Sequence, residues 1–165
     1  MSENLQNWEI FQKEFNYKKK SGIIKNEKIS QEKAIMYTFS DLVNITNKLR
    51  SKEGCSWDRE QTHESLKQYL LEETGEVIEA IDHKDQENLC EELGDVLFQV
   101  MIHSQIAKEN QDFTIDDVVN GICEKMIRRH PHVFGDKKVN SSEEGEALWN
   151  AIKMQEKARK KRKKP

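Results

Sequence analysis

Apolar residues recur three or four positions apart along most of this sequence, which is the spacing that lines one face of an α-helix. Two segments carry the most regular stripes: Leu66, Tyr69, Leu70, Val77, Ala80 and Ile81, then Leu89, Leu93, Val96, Leu97, Val100 and Met101. The alternation of apolar and polar residues that marks a β-strand is not found, and the sequence has only two prolines. The pattern predicts an all-α fold.

The two strongest stripes predict two long helices joined in an antiparallel hairpin. Thr62 can cap the first helix, because a threonine hydroxyl accepts a hydrogen bond from a free N–H group at a helix start. This helix is expected to end near His83, and a polar turn at Lys84 and Asp85 leads into the second. A connection this short leaves the two helices side by side and antiparallel.

A shorter helix is predicted before the hairpin. Ser40 can cap it, and it should end by Gly54, where the chain has no side chain to resist a turn. Residues 54–58 are then expected to form a loop. The apolar positions of the helix are Leu42, Ile45 and Leu49.

Two more helices are predicted after the hairpin. Thr114 can cap the first of them, which Pro131 ends because proline disfavours a helical conformation in the residue before it. Ser141 and Glu144 have the spacing of a capping box and mark the start of the last helix. The chain then runs into a lysine-rich tail.

The composition indicates one domain with a small core. The chain has 165 residues, of which 35% are hydrophobic and 35% are charged. A helical domain of this kind is short of apolar surface to bury, and a second copy would supply it. We therefore expect a homodimer in which two hairpins form a structure like a four-helix bundle.

The location expected from the sequence is the cytoplasm. No stretch approaches the roughly 18 to 20 apolar residues needed to cross a bilayer. The polar N-terminus also lacks the apolar segment of a signal peptide. No membrane contact is expected.

The three cysteines give no sign of a disulfide framework or a zinc knuckle. Cys55, Cys90 and Cys123 are far apart, odd in number and never in a Cys-x-x-Cys pair. Buried or idle thiols are the favoured interpretation.

Acidic residues mark the groove between the two long helices. Glu73 and Glu76 belong to the first helix, and Glu92 and Asp95 belong to the second. Each pair is three residues apart, so its side chains lie on one helical face. If the hairpin folds about residue 84, Glu76 lies beside Glu92 and Glu73 lies beside Asp95. Four carboxylates then share one groove.

This arrangement of acids predicts a metal site. Carboxylates packed side by side repel one another, and burying them unpaired is costly or forces their protonation. A divalent cation removes the conflict, and ligands that are all oxygen suit Mg²⁺ or Mn²⁺ better than zinc. Gly75 and Gly94 lie within these helices at a cost of about 1 kcal/mol each relative to alanine, which close helix approach or room for a substrate would explain.

Two other interpretations of these acids are a solvated helix face and a di-iron site. The chain has 30 acidic residues, so a single glutamate pair at helical spacing is usually only a solvated face. Glu73, however, interrupts the apolar stripe between Leu70 and Val77, and a solvated face does not explain that. A di-iron carboxylate site needs a Glu-x-x-His motif on two helices, and only Glu60 with His63 fits.

The spacing of the acids resembles the signature of the MazG family of nucleoside triphosphate pyrophosphohydrolases, which reads here Glu72-Glu73-x-x-Glu76 and then Glu92-x-x-Asp95. Three other stretches are similar to that family: 57–63, 128–135, and Trp149 with Lys153 and Glu156. The resemblance extends from about Phe39 to Lys157. One departure is Ser56, where the family pattern has a proline before the tryptophan, which bears on the rigidity of that loop.

The resemblance implies a helical dimer and Mg²⁺-dependent cleavage of a nucleoside triphosphate between the α and β phosphates, giving a monophosphate and pyrophosphate. By matching position, it makes Glu72 the residue that orients or activates the attacking water. It assigns metal binding to Glu73, Glu76, Glu92 and Asp95. Clearance of abnormal nucleotides is the role that we expect. Related all-α enzymes acting on dUTP or phosphoribosyl-ATP are the alternative, which stretches 57–63 and 128–135 disfavour.

Basic side chains are needed to bind a triphosphate, which brings about four negative charges to an acidic groove. Lys125, Arg128 and Arg129 are candidates because they are three and four residues apart at the end of one helix. Lys153, in the last stretch similar to the family, is another. The alternative is a basic helix end that only complements the helix dipole.

Trp57 and Trp149 are candidates to stack on the base of a nucleotide. A tryptophan in a small helical domain is more often a core anchor, and either residue can also serve a dimer contact. His130 and His132 flank a proline but have no third ligand, so a structural role in a loop is favoured for both.

The sequence divides into three parts. Residues 1–38 are predicted to form a helical extension, with an amphipathic piece around Trp8, Phe11 and Phe15. Residues 39–157 are the predicted MazG-like catalytic domain. Residues 158–165 form a basic tail that is expected to be disordered.

The basic tail raises the question of nucleic-acid binding. Seven lysines and arginines between Lys157 and Lys164 leave the rest of the chain at about −10, against a formal net charge of −3 overall. Such a tail can contact a polyanion, but the acidic body favours a tail that is merely solvated. A non-catalytic helical binding module is the remaining alternative, and the five intact carboxylates argue against it.

Overall fold

The computed structural model describes residues 36–162, and this part contains seven helices and no strand. They are α1 (Phe39–Arg50), α2 (Ser56–Glu60), α3 (Lys67–His83), α4 (Gln86–Glu109), α5 (Ile115–Arg129), α6 (Pro131–Phe134) and α7 (Ser142–Arg162). The all-α prediction is confirmed. The segment predicted around Trp8 lies outside the described residues.

The predicted hairpin is formed by α3 and α4, which pack against each other along their lengths. Lys84 follows α3 in a left-handed backbone conformation, with a φ of 56°, which ends the helix. Asp85 then caps α4, because its carboxylate accepts a hydrogen bond of 3.0 Å from the Asn88 N–H. This turn fixes which residues of the two helices face each other.

The core lies at the end of the hairpin away from this turn. Leu66, Ile102 and Ile106 are buried together, with Phe98 packed against them. The helix α1 packs on α4 near this core and buries Thr46. Many apolar side chains of α3 and α4 remain exposed, among them Leu71, Ile78, Ile81, Leu93 and Leu97. The core formed by residues 36–162 is therefore small, in line with the composition.

The cap of α1 differs from the prediction. The N-cap is Thr38, whose hydroxyl accepts a hydrogen bond from the Asp41 N–H, and the Asp41 carboxylate accepts one from the Thr38 N–H at 2.8 Å. These reciprocal bonds satisfy two free N–H groups. Ser40 lies inside the helix. The residue three positions after it is Val43, whose side chain cannot accept the reciprocal hydrogen bond of a capping box.

The segment between α1 and α3 is also more ordered than predicted. Residues Ser56–Glu60 form α2, which overlaps the region 54–58 that was expected to be a loop. Thr62 does not cap α3: its hydroxyl and N–H group exchange hydrogen bonds with Ser65 and close a single turn. The helix α3 then starts at Lys67.

The later helices largely follow the prediction. Thr114 caps α5 in a reciprocal capping box with Asp117, and α5 ends at Arg129. Pro131 begins α6, since its fixed φ and missing N–H suit the first position of a helix.

At the start of α7 only half of the predicted capping box forms. The Glu144 N–H donates to the Ser141 hydroxyl, but the Glu144 carboxylate accepts from the Asn140 N–H instead of from Ser141. The helix continues to Arg162, so it includes residues 158–162 of the segment predicted to be a disordered tail. Lysine, arginine and alanine are good helix formers, and positive charge is favourable at a helix C-terminus.

None of the described helices is both long and apolar enough to cross a membrane. The cysteines Cys55, Cys90 and Cys123 are free, as predicted, but all three are exposed. Of the two predicted states, buried or idle thiols, burial is therefore excluded and the idle thiol remains.

Candidate metal and catalytic site

The hairpin brings four predicted acids together in one cluster, which we call the acid cluster: Glu73, Glu76, Glu92 and Asp95. One carboxylate oxygen each from Glu73, Glu92 and Asp95 lies within 4.8 Å of the others. Glu76 is hydrogen-bonded to Glu92 and also interacts electrostatically with it and with Asp95. The register set by the turn at Lys84 therefore places Glu76 against Glu92 and Glu73 near Asp95.

The acids of this cluster disturb one another's protonation. Glu92 is only 9% exposed, and its pKa is raised to about 7, first by burial and then by the charge of Glu76 and the hydrogen bond with it. Burial and neighbouring carboxylates also raise the pKa of Glu73 and of Asp95. No lysine or arginine of the described residues is among the causes of these shifts. The cluster thus holds negative charge that the surrounding side chains do not balance.

The donor set fits a hard divalent cation. All the converging ligand atoms are carboxylate oxygens, from the residues that raise one another's pKa. Mg²⁺ and Mn²⁺ prefer oxygen ligands, and a cation at this point would favour the charged form of every acid around it. No histidine or cysteine belongs to the cluster, so zinc is a poorer match.

Glu72 lies next to the acid cluster without being one of its converging ligands. Its side chain is exposed and accepts a hydrogen bond of 3.3 Å from the amide of Gln68, one turn earlier on α3. Its charge contributes to the raised pKa of Glu73. Glu72 is thus oriented beside the cluster with a carboxylate that water can reach.

The glycines of the hairpin do not serve close packing within this chain. A Cβ atom added at Gly75 or Gly94 would meet no heavy atom within 4 Å. The expectation that close helix approach explains them is therefore wrong for the single chain, because the helix faces that carry them are open here. Within one chain, room for a substrate beside the acids is the explanation that remains.

A second charged cluster joins α5 to α7, and we call Arg128, Arg129 and Glu156 the arginine clamp. The Arg128 guanidinium donates to Glu156 at 2.6 Å, and that of Arg129 donates to the other carboxylate oxygen at 2.7 Å. Both arginines hold the pKa of Glu156 down, at about 2. Two of the predicted phosphate-binding residues are thus already paired with an acid.

Trp149 is part of the same region. The Arg129 guanidinium carbon lies 4.9 Å from the centre of the Trp149 ring. The centre of the His130 ring lies 4.9 Å from the centre of the same ring. Lys125 and Lys153 are half-buried on α5 and α7. Trp149 is therefore packed between helices, whereas it was also predicted as a base-stacking residue.

Trp57 has a different environment. It lies on α2 with 44% of its surface exposed, and its ring contacts Tyr69 edge-on, with 5.8 Å between ring centres. Tyr69 is on α3, one helical turn before Glu73. Trp57 is thus not a core anchor, and an aromatic surface stands one turn away from the acid cluster.

Some contacts near the site were not predicted from the sequence. Arg50 is buried between α1, α4 and the α2 segment, and His63 pairs with His103 at 2.8 Å between their Nδ1 atoms. Burial and the neighbouring His63 lower the pKa of His103. His103 lies in a part of α4 that also contains Gln99, Ser104 and Gln105, so no local signal in the sequence singled out this pair.

The fold and the site together define an all-helical protein in which two antiparallel helices present a cluster of carboxylates. The MazG nucleotide pyrophosphohydrolase domain matches residues 61–134 of the chain. The crystal structure of a MazG-related protein from Thermotoga maritima is similar, with a TM-score of 0.58 and 30% sequence identity, over 70% of this chain and 98% of that one. The chain belongs to the MazG family, which confirms the resemblance seen in the sequence.

Two curated relatives are more similar in sequence. The Thermotoga maritima protein named nucleoside triphosphate pyrophosphohydrolase/pyrophosphatase MazG is 58% identical over 123 residues, which are 74% of this chain and 47% of that protein. The uncharacterised protein YabN of Bacillus subtilis is 52% identical over 129 residues, which are 78% of this chain and 26% of that protein. The chain thus spans less than half the length of these relatives.

Proposed function

We propose that this chain hydrolyses nucleoside triphosphates to nucleoside monophosphates and pyrophosphate. The observation that carries the proposal is the convergence of Glu73, Glu92 and Asp95 within 4.8 Å in a chain of the MazG family. The name of the Thermotoga relative, a nucleoside triphosphate pyrophosphohydrolase, supports the same reaction. Clearance of abnormal nucleotides is part of the proposal.

The metal that we propose is Mg²⁺, with Mn²⁺ as a substitute, held by the four residues of the acid cluster. The raised pKa of Glu92 supports this, since a cation would favour the carboxylate forms that now repel one another. When bound, the ion would supply positive charge against the triphosphate and Lewis-acid assistance to the attack by water.

Glu72 is the residue that we propose to orient the attacking water and accept its proton. Support comes from its exposure, its position next to Glu73 and the hydrogen bond from Gln68 that orients its side chain. A carboxylate near a reacting water can act as a general base when it lies within hydrogen-bond reach.

Lys125, Arg128, Arg129 and Lys153 are proposed to bind the phosphates. Arg128 is the best supported, because half of its side chain is exposed and Glu156 engages only its Nε atom. For the base, Trp57 is better supported than Trp149, whose ring is already covered by Arg129 and His130. An exposed ring can stack on any base because every base has an aromatic face.

A homodimer is proposed as the assembled form. The exposed apolar residues of the hairpin support it: Leu71, Ile78, Ile81, Leu93 and Leu97 lie on the same two helices as the acids. A partner hairpin would cover them in a four-helix bundle. The cytoplasmic location and the solvated state of the basic tail remain predictions.

Pyrophosphate release tests the proposal most directly. A panel of standard and modified nucleoside triphosphates would be assayed with Mg²⁺ and with chelator, for the wild type, Glu76→Ala and Glu79→Ala. Glu79 is exposed on the same helix outside the cluster, so its substitution should leave turnover intact. Metal-dependent release that only Glu76→Ala abolishes supports the enzyme, and no release from any nucleotide would favour a non-catalytic binding module.

A further inference from the structure

Arg50 occupies an unusual position for a charged side chain. It is 8% exposed at the end of α1, and its guanidinium makes several hydrogen bonds to groups distant in sequence. Nε and Nη2 bind both carboxylate oxygens of Glu109 at the end of α4, at 2.6 to 3.1 Å. This fork-shaped pairing lowers the pKa of Glu109 and uses the Nε and Nη2 donors on one side of the guanidinium.

The other side of the guanidinium binds the backbone of the α2 segment. Nη1 donates to the Asp58 carbonyl and, at 3.2 Å, to the Gln61 carbonyl. Lysine could not make these bonds together with the pair to Glu109, because an ammonium group has no planar fork of donors. Arg50 therefore ties residues 58–61 to the C-terminal ends of α1 and α4.

Further polar contacts fix the same segment. The Gln61 amide donates to the Trp57 carbonyl at 2.9 Å and accepts from the Ser65 hydroxyl at 2.7 Å. His63 is paired with His103 on α4. The backbone from Trp57 to Gln61 is thus anchored by side chains, while the Trp57 ring itself remains 44% exposed.

An anchored backbone with an exposed aromatic ring is the arrangement expected for recognition. A tryptophan that only stabilised the fold would be buried in the core, and a mobile one would lose entropy on binding. Trp57 instead contacts Tyr69, one turn before Glu73, so the segment is held next to the acid cluster.

We propose that Arg50 is a positioning residue for substrate binding: it fixes residues 58–61 so that Trp57 stands beside the acid cluster to stack on the nucleobase. The inference rests on the proposed function, because the nucleobase belongs to the triphosphate substrate. Arg50 does not touch the substrate and acts through Trp57.

Steady-state kinetics of the full chain test this with Arg50→Lys and a control, Thr46→Ala. Thr46 is buried one turn earlier on α1, and its hydroxyl bonds only the Leu42 carbonyl, so its substitution should lower stability without moving the α2 segment. We expect Arg50→Lys to raise KM about tenfold with kcat within about twofold of wild type, since a contact used equally in ground and transition states is weakened. Thr46→Ala should leave KM unchanged.

Amide hydrogen exchange without nucleotide gives a readout independent of turnover. The Arg59 and Gln61 N–H groups are bonded to the Cys55 and Asp58 carbonyls. Arg50→Lys should speed exchange at these two amides, and Thr46→Ala should not. If Arg50→Lys does not fold, Glu109→Gln, which weakens the support of the same guanidinium, is measured in its place with the same expectations.

A double-mutant cycle decides whether Arg50 acts through Trp57. In a Trp57→Ala background, Arg50→Lys should cause no further rise in KM, because the positioned ring is gone. The inference would be overturned if Arg50→Lys raised KM equally with and without Trp57. It would also be overturned if Arg50→Lys left the KM of an otherwise wild-type, active enzyme unchanged. In both cases the proposed function would stand. A wild type that releases no pyrophosphate from any nucleotide overturns the proposed function and this inference with it.

Discussion

The acid cluster and the arginine clamp shift the pKa of a glutamate in opposite directions. In the acid cluster, burial and like charges raise the pKa of Glu92 to about 7. In the clamp, two arginines lower the pKa of Glu156 to about 2. The clamp is complete within the chain and joins α5 to α7, whereas the acid cluster holds repulsion that only something from outside the chain can relieve. The ion pairs of the clamp act within the chain and contribute to its stability, whereas the uncompensated charge of the acid cluster supports the metal binding proposed above.

The largest effect is expected from Glu92→Gln in the acid cluster. This change removes a proposed ligand, so kcat/KM with Mg²⁺ should fall at least about 100-fold. It also removes repulsion, so the metal-free protein should gain about 1 kcal/mol of unfolding free energy at pH 8, where Glu92 is ionised. Kinetics and urea unfolding with chelator measure the two effects.

Glu79→Gln on α3 is the control for this experiment, because Glu79 is an exposed acid outside the cluster. It should change neither quantity appreciably. A Glu92→Gln protein that is less stable than the wild type without metal would show that the acid is structural, and the contrast with the clamp would fail.

The contrast itself was only partly predictable from the sequence. The pairing of Glu76 with Glu92 and of Glu73 with Asp95 followed from the helical period and the position of the polar turn, both local properties. Once the turn is fixed, the alignment of the two helices decides which side chains lie opposite each other. For the same reason the hairpin and the cap at Thr114 agree with expectation.

The features that the sequence did not reveal depend on distant contacts. Glu156 meets Arg128 from 28 residues away, and Arg50 meets Glu109 from 59 residues away, so no local pattern announces either pair. The competition between Thr38 and Ser40 for the cap of α1 depended on which residue has an acid three positions later. The open space beside Gly75 and the exposure of the cysteines depend on what packs nearby, which periodicity does not specify.

The second prediction concerns stability in the clamp. Glu156→Gln keeps the size of the side chain but removes the negative charge that pairs with both arginines. The unfolding free energy should therefore fall by about 2 kcal/mol, a figure that already allows for the solvent exposure of Arg128. Urea unfolding measures it, and Glu146→Gln, an exposed acid on the same helix, is the control. An unchanged stability would mean that the clamp does not hold α7 to α5.

The clamp also predicts a dependence on pH. The pKa of Glu156 is lowered in the folded state, to about 2 from an ordinary value of 4.5, so its stabilisation is present above pH 4.5 and is lost as the pH falls towards 2. The stability difference between wild type and Glu156→Gln should therefore shrink between pH 5 and pH 3. The acid cluster is the same in both proteins, so its contribution to the pH dependence cancels in the stability difference. A difference that is constant with pH would contradict the ion pairing.

The smallest expected effect separates the two arginines of the clamp. The Arg129 side chain is 15% exposed, binds Glu156 through two nitrogens and lies over Trp149, whereas the Arg128 side chain is 50% exposed and binds through one. Arg129→Ala should therefore cost about 1 kcal/mol more unfolding free energy than Arg128→Ala. Arg128→Ala should instead act on KM, because its exposed nitrogens remain able to bind phosphate. Urea unfolding and kinetics of both variants check this. Equal losses of stability with an unchanged KM would place both arginines in the structural role, and the proposed phosphate contacts would then fall to Lys125 and Lys153.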